Sequence, residues 1–358
     1  MNNMQDKMID QPYLKWMAAN TETDWCNDSA MIDEIDNALK NGASGCTSNP
    51  PLSFQALTAT PELFSEELRR IPRNISGDEK VVELIGIVVR TIAKKLLPLF
   101  HESKETRGFI RAQVQPGLSA NANAMLESGK KFASWGRNIK VKIPGTGAGI
   151  WVLEELAALG IPTNPTVCVS ISQMVSAAEA YERGIKRAVK AGIKPAHSTS
   201  AFVIGRLQDY LTRLNEQRGT GLTTYELECA VLAAVKRCYA LFRERGYNQM
   251  IMPAAFRCVR QVTELSGSVT EMTIHPMIQE LVRVADANGE IEYNIAIGNP
   301  VDPEAVEKVI RTLPEFAIAY EPEGIREADF DSFGATVMTL GNFDKNGWQL
   351  LKNIEIPT

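Results

Sequence analysis

Short apolar runs that suit β-strands alternate with longer amphipathic segments along most of the chain. A weak strand candidate lies at Thr23–Asp28, and seven clearer ones follow at Gly45–Pro50, Gly108–Val114, Asn138–Pro144, Thr163–Ser170, His197–Gly205, Asn248–Phe256 and Glu271–Pro276. Repeated strand–helix alternation is typical of a parallel sheet, and eight strands favour closure of that sheet into a barrel. We therefore predict an α/β fold, a (β/α)8 TIM barrel with extra N-terminal, inserted and C-terminal helices.

The segments between the strand candidates carry helix signals. Glu226 follows Thr223 by three residues, as in a capping box, and predicts a long helix over Thr223–Arg245. The long segment that includes Asp78–Phe100 predicts amphipathic helices on the barrel exterior or at a subunit contact. No Pro/Ser-rich linker or charge block divides the chain, so we predict one domain over residues 1–358, with an N-terminal extension (1–22) and a C-terminal helical tail (340–358).

Composition excludes several classes of function. The net charge of -5 argues against a nucleic-acid partner, which would require a concentrated basic stripe. No apolar run approaches the length of roughly 18 residues that spans a bilayer, and we expect no membrane association. The polar start, Met1–Gln11, does not resemble a signal peptide. The six cysteines contain no C-x-x-C pair and suit free thiols. We expect a cytoplasmic protein.

The stretch NIKVKIPGTGAGI places Lys140 and Lys142 in an apolar run that ends at Pro144. Residues i and i+2 of a strand point to the same face, so both lysines face either the barrel interior or its exterior. Reactive groups in a β/α barrel lie where the strands end. An inward Lys142 would be a candidate nucleophile, whereas an outward one would be a surface charge.

The strand ends present lysine, carboxylate, amide, hydroxyl and guanidinium groups rather than metal ligands. They comprise Asp28, Ser48, Asn49, Gln113, Lys142, Asn164, Thr166, Arg206 and Arg257. Signatures of zinc hydrolases, serine hydrolases and P-loops are missing, no cysteine or histidine cluster has metal-ligand spacing, and PGTGAG has misplaced glycines for a dinucleotide site. These absences argue against a simple zinc hydrolase, a serine hydrolase and a P-loop protein. The set suits Schiff-base chemistry on a carbonyl compound with an anionic tail.

Six motifs, in order, resemble the transaldolase family. They are SGCTSNP, RAQVQPGLS, VKIPGTGAGI, GIPTNPTVCVSISQMVSAAEAYERG, FVIGRL and PAAFRCVRQVTELSG, and they span roughly Asp24–Asp286; the ending FGATVMTLGNF is similar to the family's closing helix. The resemblance implies a class I aldolase barrel that moves a dihydroxyacetone unit between sugar phosphates without a cofactor. It also implies a homo-oligomer, often a dimer. The smaller relatives of the family are fructose-6-phosphate aldolases.

The resemblance assigns roles to individual residues. Lys142 matches the Schiff-base lysine, and Asp28 matches the aspartate that shuttles protons to substrate hydroxyls. Asn27 is an alternative register for Asp28, and the structural alternative for Asp28 is a cap of the helix that starts near Ala30. Thr166 matches the threonine that orients the catalytic water, and Asn49 and Asn164 match the asparagines that hold substrate hydroxyls. Arg206 and Arg257 match the arginines that bind the substrate's phosphate. Further candidate substrate contacts are Ser48, Ser200 and Phe202.

Two departures leave alternatives open. Gln113 replaces the glutamate of classical transaldolases and matches the glutamine of the small aldolases, so a lyase that releases a free ketone is an alternative. Ala201 and Ala255 replace the serines beside the phosphate arginines, unless a bulge brings in Ser200. An altered anion such as a sulfonate is therefore a further hypothesis. The alternative from a different functional class is a catalytically silent relative of the family.

A nucleophilic Lys142 must be uncharged to react. The pKa of its ammonium group must therefore be lowered from about 10.4 towards about 7.

Overall fold

The computed structural model describes residues 11–356, and eight parallel strands form its centre. The strands are β1 (Asp24–Asn27), β2 (Gly45–Thr47), β3 (Phe109–Gln113), β4 (Ile139–Pro144), β5 (Thr163–Thr166), β6 (Thr199–Phe202), β7 (Met250–Pro253) and β8 (Glu271–Ile274). Residues 1–10 of the predicted N-terminal extension and residues 357–358 of the predicted tail lie outside the described part.

The strands close into a barrel. Six of them pair in the order β5-β4-β3-β2-β1-β8, and β6 pairs with β7. Isolated parallel bridges join β5 to β6 at Thr163 and Ser198, and β7 to β8 at Ile251 and Thr270. The predicted eight-stranded α/β fold is therefore confirmed, including the weakly indicated first strand, whose register with β8 runs over all four of its residues.

Helices surround the barrel. They are α1 (Tyr13–Asn20), α2 (Ile32–Lys40), α3 (Pro50–Ala59), α4 (Ser65–Arg69), α5 (Gly77–Glu102), α6 (Ala122–Ala133), α7 (Gly147–Ala158), α8 (Ile171–Lys190), α9 (Ile204–Arg218), α10 (Thr224–Arg245), α11 (Val259–Thr263), α12 (Pro276–Ala287), α13 (Pro303–Thr312), α14 (Pro314–Tyr320), α15 (Gly334–Phe343) and α16 (Gln349–Lys352). Short 3-10 turns cover Pro61–Phe64, Pro116–Leu118 and Glu327–Ser332, and a π-helical turn covers Asp344–Trp348.

Side-chain caps start several helices directly after a strand. Asn49, Thr146 and Ser170 each accept a hydrogen bond from the first turn of α3, α7 and α8. These caps place helix N-termini around the carboxyl ends of the strands, an edge that favours anionic ligands. The capping box of Thr223 and Glu226 starts α10 as predicted.

The inserted segment forms α5, which packs outside the barrel against β3 and α3. Its buried side includes Leu84, Val88 and Ile92, which recur at helical spacing. Within the described residues, no helix is both long and apolar enough to cross a membrane. All six cysteines are free thiols, as their scattered spacing indicated.

The inward side chains of alternate strands fill the barrel in four layers, as strand alternation and register dictate. From the amino ends of the strands to their carboxyl ends, the layers are Gly45, Lys140, Thr199 and Glu271; Cys26, Arg111, Asn164 and Met252; Thr47, Lys142, Ala201 and Thr273; and Asp28, Gln113, Thr166 and Ala254. Contacts within the layers agree with this order, since Lys140 lies near both Thr199 and Glu271. The two upper layers form the mouth of the barrel.

Candidate active site

Lys142 points into the barrel from the end of β4. Its side chain is buried, and Nζ donates one hydrogen bond, to the backbone carbonyl of Ser48 at 3.1 Å. Burial lowers the pKa of the Lys142 ammonium to about 8; the carboxylate of Asp28 acts against this change and the charge of Arg111 adds to it. About a tenth of this amine is therefore uncharged at pH 7, and the uncharged form is the one that attacks a carbonyl carbon.

Asp28 lies one layer above Lys142, at the end of β1. Its Oδ1 accepts a hydrogen bond from the hydroxyl of Thr47 at 2.6 Å, and Thr47 in turn contacts the hydroxyl of Thr273. The alternative role as a helix cap does not hold, because α2 begins at Ile32 without a side-chain cap. Asp28 is thus a carboxylate at the mouth, oriented by a hydroxyl.

Two further buried side chains, Gln113 at the mouth and Asn164 one layer below Lys142, carry polar atoms without a partner. Oε1 of Gln113 and Oδ1 of Asn164 accept no hydrogen bond within the described residues. The amide nitrogen of Asn164 is fixed by the backbone carbonyl of Thr199. Thr166 is a buried side chain of the same layer as Gln113. Buried acceptors without donors are costly, and a ligand hydroxyl or a water would satisfy them.

Ser48 and Asn49 connect β2 to α3 beside the lysine. The hydroxyl of Ser48 donates to the carbonyl of Arg111 at 2.8 Å, so its backbone carbonyl is the group that meets Lys142. Oδ1 of Asn49 accepts a hydrogen bond from the amide of Leu52 at 2.9 Å. Asn49 therefore acts as the helix cap, which fixes its side chain at the rim of the mouth.

Three of the predicted site residues do not join this group. Asn27 faces the outer helices, where its Oδ1 accepts a hydrogen bond from Gln279 at 2.8 Å. The hydroxyl of Ser200 contacts the sulfur of Met174 on α8, and Phe202 shares that outer face of β6 by alternation. The expectations for Asn27, Ser200 and Phe202 thus differ from their placement, because a shift of one residue in a strand reverses the face. The regular pairing of β6 with β7 provides no bulge that would turn Ser200 inward.

Two arginines form a positive end of the mouth. Arg206 lies in the first turn of α9, and Arg257 lies in the loop after β7. Burial and the charge of Arg257 lower the pKa of the Arg206 guanidinium, while Asp209 and Asp28 act against that change. The two guanidinium groups and Asp28 therefore share one electrostatic environment.

Asp209 and α15 hold these arginines in place. Both carboxylate oxygens of Asp209 accept hydrogen bonds from Arg257, at 2.8 Å and 2.6 Å, and Asp209 also lies 3.7 Å from Arg206. Nη2 of Arg206 donates to Oδ1 of Asn342 on α15 at 3.3 Å. Helix α15, which contains most of the FGATVMTLGNF ending, thus borders the mouth.

The approach of α9 to the loop after β7 depends on a glycine. A Cβ at Gly205 would overlap the carbonyl oxygen of Ala255, so only glycine permits the contact that brings Arg206 towards Arg257. Ala255 itself has a φ of 62°, in the left-handed region. Ala201 faces inward and contributes no hydrogen-bond donor of its own, so neither alanine can bind an anion through a side-chain hydroxyl.

Sequence reasoning missed three contributors to this site. The roles of Thr47 and Asp209 follow only from their contacts with Asp28 and Arg257 in the folded chain. Asp209 does follow Arg206 at the i+3 spacing that brings helical side chains together. Arg111 lies two residues before Gln113, so the alternation that joined the two lysines could also have placed it inside the barrel. Within residues 11–356, no group of three or more histidine, cysteine or acidic side chains could hold a metal ion.

Comparison with known proteins decides the family. The family model described as Transaldolase/Fructose-6-phosphate aldolase matches residues 25–326. This chain belongs to that family. The transaldolase of Thiobacillus denitrificans is 31% identical over 313 residues, which cover 83% of this chain and 86% of that protein. The transaldolase of Neisseria gonorrhoeae is 31% identical over 199 residues (54% and 56%), and transaldolase 2 of Streptomyces avermitilis is 25% identical over 311 residues (78% and 82%).

Proposed function

We propose that this chain is a transaldolase-type transferase, which moves a dihydroxyacetone unit between sugar phosphates or related ketoses through a Schiff base on Lys142. The observation that carries the proposal is the Lys142 amine itself, buried with a single carbonyl partner in a polar mouth. Family membership and the names of the related transaldolases support the reaction type.

The reaction begins when the uncharged Lys142 amine attacks the ketose carbonyl carbon, and loss of water gives an iminium ion. Asp28 then accepts the proton of the hydroxyl on the carbon that becomes an aldehyde. The neighbouring C–C bond breaks, and its electron pair passes into the iminium to form an enamine. The enamine carbon attacks the acceptor aldehyde, Asp28 returns its proton to the new alkoxide, and water releases the product ketose and restores the amine.

Gln113 and Thr166 would hold the water that these steps produce and consume. The unpartnered Oε1 of Gln113 accepts a hydrogen bond from water, and the hydroxyl of Thr166 supplies a second contact. A glutamine cannot accept a proton at neutral pH, so Asp28 carries the proton transfers. Gln113 also favours a second candidate function, a class I aldolase, in which the enamine is protonated and a free ketone is released.

The anionic tail of the substrate is the second open point. The Arg257 guanidinium already makes two hydrogen bonds to Asp209, and the inward Ala201 offers no hydroxyl. Each missing charge-assisted hydrogen bond removes about 1.5–3 kcal/mol of binding free energy. We therefore retain the hypothesis that an altered anion, such as a sulfonate, binds here. Turnover of fructose 6-phosphate is to be compared with that of its 6-sulfo and unphosphorylated analogues, and a strong preference for the phosphate would reject the altered anion.

Borohydride trapping separates the candidate functions. The protein is incubated with fructose 6-phosphate and borohydride, with or without an aldose phosphate acceptor, and is then weighed by mass spectrometry. We expect a covalent three-carbon adduct that the Lys142→Met variant lacks, together with turnover that depends on the acceptor. Release of free dihydroxyacetone without an acceptor would identify a lyase. The lack of an adduct with any ketose would reject both enzymes in favour of a catalytically silent relative.

A further inference from the structure

A buried ionic cluster lies directly beneath the candidate nucleophile. It consists of Arg111, Glu271, Lys140 and Cys26, which belong to the two lower layers of the barrel. Arg111 forms an ion pair with Glu271, and its Nη1 lies 2.9 Å from the sulfur of Cys26. The Arg111 side chain is fully buried, which is almost never the case for an arginine unless it is paired.

Neighbouring residues are shaped to hold this arginine. A Cβ at Gly45 would lie 2.9 Å from Nη1 of Arg111, so the missing side chain provides the space for the guanidinium group. Glu271 is held in turn by hydrogen bonds from Ser44 at 2.8 Å and Cys26 at 3.0 Å. Burial raises the pKa of the Glu271 carboxyl, but the charges of Arg111 and Lys140 outweigh that effect and hold it well below its usual range. Arg111 and Glu271 are therefore both charged at neutral pH.

Arg111 lies one layer below Lys142. It precedes Gln113 by two residues on the same face of β3, and Gln113 is the register partner of Lys142 on β4. Its Nε has no acceptor within the described residues. Above the cluster, the charged group nearest to Lys142 is Asp28, and the thiol of Cys46 lies on the outer face of β2; below the cluster, Asp24 is paired with Arg107.

The basic and acidic side chains inside the barrel are unequal in number. Apart from the Asp24–Arg107 pair, the described inward side chains comprise three basic groups, on Arg111, Lys140 and Lys142, and two carboxylates, on Glu271 and Asp28. Arg111 and Lys140 are compensated by Glu271, which leaves Lys142 next to an incompletely neutralised cation. A positive charge at such a distance in a buried site disfavours a second positive charge.

We propose that Arg111 is a positioning residue for the Schiff-base reaction: fixed by Glu271 and Cys26 beneath Lys142, it favours the uncharged form of the Lys142 amine. This inference rests on the proposed function, because it concerns the amine that the function requires. Arg111 does not touch the substrate and acts only through Lys142.

The test measures the rate of borohydride trapping with fructose 6-phosphate as a function of pH. The variant Arg111→Met removes the cation and leaves Glu271 paired with Lys140. We expect its midpoint to move upward by about one pH unit or more from the wild-type value. Arg111→Gln, which keeps a polar but uncharged side chain, should shift the midpoint in the same direction, and Arg111→Lys, which keeps a cation, should restore it in part. The matched control, Arg107→Met/Asp24→Asn, removes an ion pair one layer lower and should leave the midpoint unchanged.

The outcomes distinguish a failure of the role of Arg111 from a failure of the proposed function. An adduct on Lys142 with an unchanged midpoint in both Arg111→Met and Arg111→Gln would overturn the role of Arg111 and leave the proposed function intact. A wild-type protein that forms no adduct at any pH would overturn the proposed function itself. If Arg111→Met fails to fold, Arg111→Lys and Arg111→Gln still decide, because their midpoints should differ from each other.

Discussion

Lys140 and Lys142 lie two residues apart on one face of β4, and both are buried. Burial lowers the pKa of each ammonium to about 8. Their surroundings differ, however. Lys140 lies 3.7 Å from the carboxylate of Glu271, 3.5 Å from the hydroxyl of Thr199 and 4.7 Å from the centre of the Phe109 ring. Lys142 has one carbonyl partner and open acceptors around it. Contacts, rather than burial, therefore separate a structural lysine from a candidate nucleophile.

The largest difference that we expect between the two lysines is in catalytic activity. Lys142→Met should reduce kcat/KM at least about 1,000-fold, because no other amine at the mouth can form the Schiff base. Lys140→Met should retain most of the activity, because its amine lies three layers below Asp28. Steady-state kinetics of both variants provide the test. Comparable losses in the two variants would remove the distinction between the lysines.

Loss of either lysine should affect stability with the same sign but by different amounts. Lys142→Met should raise the free energy of unfolding at pH 7 by about 1–3 kcal/mol, because a desolvated ammonium is removed. Lys140→Met should raise it by less, because Glu271 loses one of its two cations and this loss offsets part of the gain. Urea denaturation at pH 7 measures both effects.

The pH dependence of stability checks the sign for Lys142. The unfolded chain binds more protons than the folded one between the folded pKa of about 8 and the ordinary value of 10.5. The free energy of unfolding of the wild type should therefore rise with pH across this window, and the penalty is complete below it. Lys142→Met should show a smaller rise than the wild type. Parallel pH curves for the two proteins would contradict a lowered pKa.

The register partners of the lysines on β3 give a finer test. Arg111 is the partner of Lys140, and the uncharged Gln113 is the partner of Lys142. Gln113→Glu places a carboxylate beside Lys142 and should raise its pKa by about one unit, which slows trapping at pH 7 by up to about tenfold. Gln113→Leu, which adds no charge, is the control and should leave the midpoint near its wild-type value. Equal midpoints in the two variants would show that position 113 does not influence the lysine.

The smallest effect concerns the hydroxyl that orients Asp28. Thr47→Val removes a hydrogen bond of 2.6 Å and should lower kcat by about three- to tenfold, since such a bond to a charged group contributes about 1.5 kcal/mol or less when water can replace it. Trapping of the Schiff base should be less affected, because Lys142 itself is unchanged. The ratio of kcat to trapping rate measures the difference, and a constant ratio would leave Thr47 without a role in proton transfer.

Much of the site could be predicted because it follows from strand periodicity. The spacing of Lys140 and Lys142 and the positions of the strand ends are local patterns. Asn27 and Ser200 were misplaced because a strand of four residues does not fix its own register, which is set by pairing with its neighbours. Asp209 and the Arg111–Glu271 pair depend on contacts between distant segments, and no local pattern encodes such contacts.

Localisation of the trapped adduct tests the central claim most directly. Wild-type protein is reduced with borohydride in the presence of fructose 6-phosphate, digested, and sequenced by fragmentation mass spectrometry at single-residue resolution. Our account predicts that the three-carbon unit is on Lys142 and that Lys140 of the same peptide is unmodified. An adduct on Lys140, or divided between the two lysines, would contradict it.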